Sequence, residues 1–397
     1  MGVTVYYLVL AAVIVLGLVM PQSGKQKKNY IITMAVIHAF ISGFRYKLLT
    51  GDLQKYACSF LASGSQKWFS NEILNSGRNF LFYLFLKAVN FFTNENFQMV
   101  LIIIAVIVEI AVALIVYKYS PSPWLSYLIW NCFSFYIFGF NAMKQSFAMA
   151  FVMLAFSAIM DKKPVRFTVW MLIAGSIHFP AFIFFPAYFI SRRKISIKIL
   201  TVYAALAVLV FVFRVQIVDF IKGFYYEESI EFEDSNKVGS KFFMMCIILL
   251  AGAILKGLSG KKFSILFHII AIAAILQIFS SFDNIFTRLS DYYFQMSIIF
   301  IPMIFTDFYD EVYFDSLSNK RLYLSTKVKK LLVIALTALS VWFYYYTSLS
   351  DEITYAPDDY LNYRFCWQVD ESVWEEAKNG FLETLPDETT TNLNGEF

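Results

Sequence analysis

The sequence predicts an all-α, polytopic integral membrane protein with about 12 transmembrane segments (roughly 10–13), because a helix needs ~20 apolar residues to cross a bilayer. Two observations carry this prediction. Hydrophobic residues make up 59% of the 397 residues, charged residues only 16%, and the mean hydropathy is +0.60. These values differ strongly from those of soluble domains. In addition, apolar runs of nearly spanning length recur along most of the chain.

The apolar runs follow one another from the N-terminus to residue 347. They are 3–20, 30–44, 97–117, 124–140, 142–160, 165–178, 179–191, 199–221, 241–257, 262–281, 290–306 and 328–347. A further run, 79–93, is shorter than a bilayer requires. No small-residue cleavage site follows the first run, so it is predicted to be the first span and not a cleaved signal peptide.

Lysines and arginines cluster in alternate loops, and such loops tend to lie in the cytoplasm. The basic clusters are Lys25, Lys27 and Lys28; Lys162, Lys163 and Arg166; Arg192, Arg193, Lys194 and Lys198; Lys256, Lys261 and Lys262; and Lys320, Arg321, Lys327, Lys329 and Lys330. The loop 222–240 and the tail 348–397 are instead acidic. Both chain termini are therefore predicted to lie outside the cytoplasm.

The segment 45–96 is predicted to be an outer-face loop with one short re-entrant or interfacial helix at 79–93. If this helix crossed the bilayer, the basic loop at Lys162 would fall on the wrong side. By the same count, 165–191 forms a helical hairpin with its tip at Pro180, since proline cannot continue a helical hydrogen-bond ladder. The whole chain, 1–397, is then a single membrane domain with an acidic extracytoplasmic tail at 348–397.

This count brings a set of polar residues to the outer face without using their chemistry. The set is Arg45, Asp52, Arg78, Lys144, Gln145, His178 and Arg288. A charge at the bilayer centre costs about 2.5–3.5 kcal/mol on insertion scales, so charges that persist near spans indicate a partner or a task. If the helices converge, the cations form a positive pocket for a lipid-linked phosphate or pyrophosphate.

The cations also have ordinary structural explanations. Arg45 fits an interfacial arginine that reaches toward the headgroups, and Arg288 fits a pair with Asp291 at a helix start. Lys144 is harder to explain this way, because a cation at a helix N-terminus opposes the helix dipole. The unpaired N–H groups at such a terminus favour an anion. A missing anionic partner is therefore inferred beside Lys144.

His178 precedes a proline at a predicted helix break and is a candidate base or hydrogen-bond donor. Asp52 is a second candidate base, although it also fits an exposed loop residue or a group that orients Arg45. The other histidines, His38 and His268, lie within apolar runs and fit hydrogen-bonded core residues.

Several motifs are absent from the sequence. It contains no G-x-x-x-x-G-K-[ST], no H-E-x-x-H and no carboxylate pair spaced to hold a divalent metal. Glu109 is the only acidic residue well inside a span, so the carboxylate series of a proton-coupled carrier is missing. The four cysteines show no metal or redox spacing. We therefore expect no metal, no cofactor and no nucleic-acid partner.

Five stretches carry recognisable motifs. They are S-G-F-R-Y…G-D…Y at 42–56, N-x-x-K-Q before a small-residue helix at 141–160, I-H-F-P-A-F at the hairpin 177–194, F-T-R-L-S-D-Y-Y-F at 286–294, and Tyr355–Trp367. Their order and spacing resemble those of the EpsG-type, Wzy-like bacterial polysaccharide polymerases. Two features depart from that family. Lys144 stands where an arginine is common, and the loop after Arg45 reads K-L-L-T-G-D and not a tighter form.

The resemblance implies a metal-independent glycosyltransferase in the bacterial plasma membrane. It would join oligosaccharide repeat units carried on undecaprenyl pyrophosphate, for capsule, exopolysaccharide or cell-wall polysaccharide. Its partners would be the lipid-linked donor and acceptor, the bilayer and other polysaccharide-assembly proteins. His178 or Asp52 would be catalytic, and the pyrophosphate would be bound by Arg45, Lys144, Gln145, Arg288 and Arg78. The alternatives are a flippase or exporter of lipid-linked oligosaccharide, and a membrane O-acyltransferase.

Overall fold

A computed structural model describes residues 4–66, 68, 79–191, 193–225, 239–256, 260–305, 326–344 and 363–384. Within these ranges the protein is helical and has no β-strand. The α-helices are α1 Thr4–Val19, α2 Lys27–Gly43, α3 Gly51–Ser65, α4 Phe80–Thr93, α5 Phe97–Tyr119, α6 Pro123–Cys132, α7 Phe135–Asn141, α8 Met143–Met160, α9 Pro164–Ile177, α10 Ala187–Ile190, α11 Ile197–Val212, α12 Arg214–Tyr225, α13 Ser240–Lys256, α14 Lys261–Gln277, α15 Asn284–Phe294, α16 Ser297–Phe305, α17 Thr326–Tyr344 and α18 Glu371–Thr384.

In the described part of the chain, three helical segments are long and apolar enough to cross a membrane. They are α5, α8 and Lys261–Ser281, in which a 3-10 turn extends α14. A fourth candidate combines α11 with Arg214–Phe220 across a bend of 70°. These segments confirm the predicted all-α, multi-pass membrane class, whereas the count of about 12 spans stays a prediction.

Several predicted spans are interrupted. The span 124–140 is divided into α6 and α7 at Ser134, whose φ of 64° lies in the left-handed region and ends the helical path. The run 179–191 forms the 3-10 helix Phe179–Phe184 and the short helix α10. Pro180 and Pro186 explain this break, because neither residue donates a backbone hydrogen bond.

The stretch 45–78 contains a helix that was not predicted. α3 begins after Thr50, whose side chain accepts a hydrogen bond from the Leu53 amide at 3.3 Å. α4 is the predicted short element and packs against α3. Lys87 Nζ donates to the Ser63 carbonyl at 2.8 Å, near the carboxyl end of α3. The predicted outer-face loop 45–96 therefore holds two packed helices in its described part.

The chain divides into two compact units. Unit 1 comprises Met1–Ser157, Val165–Phe182 and Ala335–Phe397, and unit 2 comprises Ala158–Pro164 and Ile183–Ile334. In unit 1, α2 and α5 run antiparallel along each other. Lys27 lies over the Tyr117 ring at 5.2 Å, while a Cβ on Gly43 would meet the Ile102 Cα at 3.2 Å. Since α5 is a candidate span, its partner α2 lies at membrane depth.

Both predicted core histidines are confirmed. In unit 1, His38 is fully buried and its Nδ1 lies 2.8 Å from the Met34 carbonyl oxygen. In unit 2, where α14 packs against α13, α15 and α16, His268 Nδ1 lies 2.6 Å from the Tyr203 hydroxyl. The other nitrogen of His268 lies 2.8 Å from the Arg193 carbonyl oxygen.

Candidate functional site

The amino end of α8 presents a buried cation. α7 ends at Asn141, α8 begins at Met143, and the Ser146 amide donates to the Ala142 carbonyl at 2.9 Å. Lys144 is only 8% exposed and Gln145 only 4%. A buried lysine therefore lies at the amino end of a helix, where the helix dipole favours an anion.

Two groups contact or influence the Lys144 ammonium. Its Nζ lies 5.8 Å from the centre of the Phe82 ring, within the range of a cation–π contact. The Asp52 carboxylate, in the first turn of α3, interacts with Lys144 electrostatically. Asp52 is itself half-buried. The structure therefore brings together Lys144 and Asp52, two of the predicted site residues.

The amino end of α4 connects Lys144 with the His178 segment. The Phe179 amide donates to Asn79 Oδ1 at 3.4 Å. Asn79 and Phe82 are three positions apart and so lie within one helical turn of each other. His178, which follows α9 directly, is half-buried, and its amide donates to the Ala174 carbonyl at 2.9 Å. His178 and Lys144 therefore lie at the same end of unit 1, which we call the Lys144 end.

Arg45 is buried beside this site. It is only 1% exposed, and its guanidinium lies 5.0 Å from the Phe140 ring centre. The guanidinium donates to the carbonyl and the hydroxyl of Ser42 and, at 3.4 Å, to the Gly139 carbonyl. Burial lowers the pKa of Arg45 to about 10. The side chain consequently stays cationic at neutral pH.

A segment from the far end of the chain covers Arg45. Phe365 forms an isolated antiparallel bridge with Arg45. The Tyr46 amide donates to the Arg364 carbonyl at 2.8 Å, and the Cys366 amide donates to Phe44 at 2.9 Å. We call residues 363–384 the C-terminal segment. In this conformation it lies against the buried Arg45, whereas Lys144 interacts with the half-buried Asp52.

The cavity next to Arg45 is small. It is lined by Ser42, Glu109, Trp130 and Tyr136, and its volume of about 10 Å³ suits a single water molecule. Trp130 Nε1 donates to Glu109 Oε1 at 3.2 Å. The cavity is far smaller than pockets that bind organic ligands.

Most of the chain matches a known family. The family model described as the EpsG family matches residues 28–365. The chain belongs to the EpsG family. This result confirms the resemblance inferred from the motifs and places the chain among membrane proteins of the polysaccharide-polymerase type. No curated protein and no solved structure matches the chain. The EpsG match ends at Phe365, the residue that bridges Arg45.

Two further predicted site residues are Arg288 and Arg78. Arg288 is exposed on α15, in unit 2. Its neighbour Asp291 forms an ion pair with Lys241, and Arg288 acts on the same carboxylate electrostatically. Arg78 lies outside the described residues. Within the described chain, no group of three or more His, Cys, Asp and Glu side chains is arranged to hold a metal.

Sequence reasoning missed three polar residues that the structure places beside the predicted ones. Asn79 accepts from the residue after His178, Lys241 pairs with Asp291, and Lys47 anchors the C-terminal segment. Asn79 precedes an apolar helix and has the composition of a helix cap, a signal that was available in the sequence. Lys47 and Lys241 gave no such signal, because their partners lie far away in the chain.

Proposed function

We propose that this EpsG-family protein is a polysaccharide polymerase at the outer face of the bacterial plasma membrane. A sugar hydroxyl of one undecaprenyl-pyrophosphate-linked chain attacks the anomeric carbon of another. The new glycosidic bond forms as the bond to the pyrophosphate oxygen breaks, and the hydroxyl proton passes to a base. The products are an elongated lipid-linked chain and undecaprenyl pyrophosphate, for capsule, exopolysaccharide or cell-wall polysaccharide.

The observation that carries this proposal is the buried Lys144 at the amino end of α8, beside Asp52 and the His178 segment. Negative charge accumulates on the departing pyrophosphate in the transition state. Fixed donors and cations aimed at that charge lower the barrier, because they need no reorganisation during the reaction. Lys144 supplies the cation, and the Gln145 side chain is proposed as a further pyrophosphate ligand.

His178 is the preferred base for the acceptor hydroxyl, and Asp52 is the second choice. An imidazole has a pKa near neutrality and takes up a proton readily at physiological pH. Asp52 interacts with the Lys144 ammonium. As the electrostatic partner of that ammonium, Asp52 is better suited to holding Lys144 in place.

Three arginines have secondary roles in the proposed reaction: Arg45, Arg288 and Arg78. Arg45 lies next to the Lys144 end and contributes positive charge, but direct contact with a phosphate requires movement of the C-terminal segment. Arg288 and Arg78 are proposed as further pyrophosphate ligands. Other polysaccharide-assembly proteins and the bilayer are the expected partners.

The test is the length distribution of surface polysaccharide in cells that lack the protein and carry a variant. We expect Lys144→Ala and His178→Ala to leave single repeat units on lipid at the outer leaflet. By analogy with the loss of one oxyanion donor, polymer yield should fall by about 10²–10³-fold. Lys144→Arg should retain activity because it keeps the charge. Lys118→Ala, at an exposed position on α5, is the matched control and should behave as wild type.

Other outcomes identify other functions. Repeat units that accumulate on the inner leaflet indicate a flippase or exporter. Chains of normal length that lack only acetyl groups indicate an O-acyltransferase. Either result contradicts the polymerase.

A further inference from the structure

An exposed aromatic cluster lies where the C-terminal segment meets the end of α2. The rings of Phe365 and Trp367 stack with their centroids 4.4 Å apart and their planes within 8°. Trp367 also contacts Phe40 and Phe44, with ring centroids 6.1 and 6.0 Å away. Trp367 is 58% exposed and Phe40 is 44% exposed. We call these four residues the Trp367 cluster.

The cluster continues an exposed apolar stripe along α2. Ile32, Val36 and Phe40 are all exposed and are spaced four residues apart. Side chains at this spacing lie on one face of a helix. Phe44 follows at the same interval and belongs to the cluster. The stripe on α2 and the Trp367 cluster therefore form one apolar surface.

This stripe lies at membrane depth. Its partner helix α5 is a candidate span and exposes Val106, Ile110 and Leu114 at the same spacing of four. α2 runs antiparallel beside α5, so the two helices cover the same depth. Exposed apolar side chains at that depth contact lipid, because water is absent there.

The Trp367 cluster lies where the helix pair ends. Gln98, in the first turn of α5, donates through Nε2 to the carbonyls of Gly43 at 2.7 Å and Arg45 at 2.9 Å. The chain leaves α2 at this level, and its backbone carbonyls accept hydrogen bonds from the polar side chain of Gln98. Tryptophan is enriched at the boundary between hydrocarbon and headgroups, because its apolar ring contacts hydrocarbon while its N–H group stays hydrated.

We propose that the Trp367 cluster binds the headgroup boundary of the bilayer and so holds the C-terminal segment over Arg45. On its opposite side the C-terminal segment packs against the rest of unit 1, since Trp374 is only 4% exposed and its ring is stacked with that of Phe97. The alternative occupant is an oligosaccharide, whose ring faces also stack on aromatic side chains. Continuity with the lipid-facing stripe favours the bilayer. This inference does not depend on the proposed polymerase activity.

The test measures tryptophan emission of the full chain in bilayers of ordinary or brominated phosphatidylcholine, since bromine quenches nearby indoles. The chain has seven tryptophans, and subtracting the emission of Trp367→Phe from that of wild type gives the emission of Trp367 alone. Wild type minus Trp374→Phe isolates Trp374, a buried control in the same segment. We expect brominated lipid to remove most of the Trp367 emission and to leave the Trp374 emission unchanged.

Two results overturn the proposal. One is Trp367 emission that brominated lipid leaves intact while aqueous acrylamide quenches it. The other is Trp367 emission that responds to added oligosaccharide but not to brominated lipid, which identifies a sugar platform. If Trp367→Phe does not fold, Trp367→Tyr gives the same difference measurement and keeps an interfacial ring.

Discussion

Lys47 Nζ lies 2.6 Å from Glu371 Oε1, although 324 positions of sequence separate the two residues. Lys47 also lies over the Trp374 ring, 4.2 Å from its centre. Lys378 and Glu95 form a second ion pair, at 2.7 Å, between the same two parts of the chain. These contacts fasten α18 to the region of unit 1 around Arg45.

Removal of Lys47 should lower the free energy of unfolding more than removal of its partner Glu371. Glu371 is largely exposed, so Glu371→Ala should lower the free energy of unfolding by less than about 1 kcal/mol. Lys47→Ala should cost roughly 0.5–1 kcal/mol more, because it also removes the contact with Trp374. Denaturation of the purified protein and proteolysis of the C-terminal segment measure both effects. Equal losses for the two variants would contradict the role of Trp374. Lys378→Ala is the control for loss of an ion pair alone.

Arg45→Lys should loosen the C-terminal segment while keeping the charge. Lysine lacks the planar fork with which Arg45 reaches both Ser42 and Gly139. We expect a loss of about 1–3 kcal/mol in the free energy of unfolding, since buried carbonyls lose their donors. Hydrogen exchange at the Tyr46 and Cys366 amides should accelerate. Arg214→Lys, at a half-buried arginine of unit 2, should leave both amides unaffected.

Gly139→Ala should destabilise the protein through a single close contact. A Cβ at Gly139 would lie 2.9 Å from Ser146 Oγ. Overpacking of this kind costs about 1–3 kcal/mol. Ser146→Ala removes that oxygen and should restore most of the loss, as seen in the unfolding midpoint of the double variant. Gly380→Ala has open space around the new methyl group and should be neutral or stabilising. No rescue by Ser146→Ala would show that the contact is not limiting.

Polymerisation in membrane vesicles should persist in EDTA if the proposed cations neutralise the pyrophosphate. Lys144 and the arginines would then supply the positive charge that a divalent metal supplies elsewhere. Chain length, followed by gel electrophoresis with and without the chelator, measures this. Activity that is lost in EDTA and returns with added metal would refute it.

The sequence predicts the apolar helices well, because their length and hydropathy are local properties. It misses α3, whose polar residues such as Gln54 and Lys55 hide the helix from a search for apolar runs. Thr50 followed by Asp52 was the available signal, since a threonine cap and an acidic first turn mark a helix start. The break at Ser134 was not predictable, because its flanking residues are as apolar as those of a continuous span.

The candidate site was predicted in part. Lys144 at a helix start and His178 at a helix break follow from local patterns, and the structure places both features there. The burial of Arg45 depends on Phe365, and no local pattern in either stretch indicates that the two meet. Contacts between distant stretches of a chain are set by packing, which a single sequence without aligned relatives does not display.

The bridge between Arg45 and Phe365 also bears on biosynthesis. Lys47 and Glu371 are 324 positions apart, so residues 41–47 leave the ribosome long before the segment that covers them. The helices around Arg45 must therefore enter the bilayer with Arg45 uncovered, and the insertion machinery or lipid headgroups must shield this charge until residues 363–384 have been translated. A nascent chain stalled before residue 363 would expose Arg45 to reagents that the mature protein excludes.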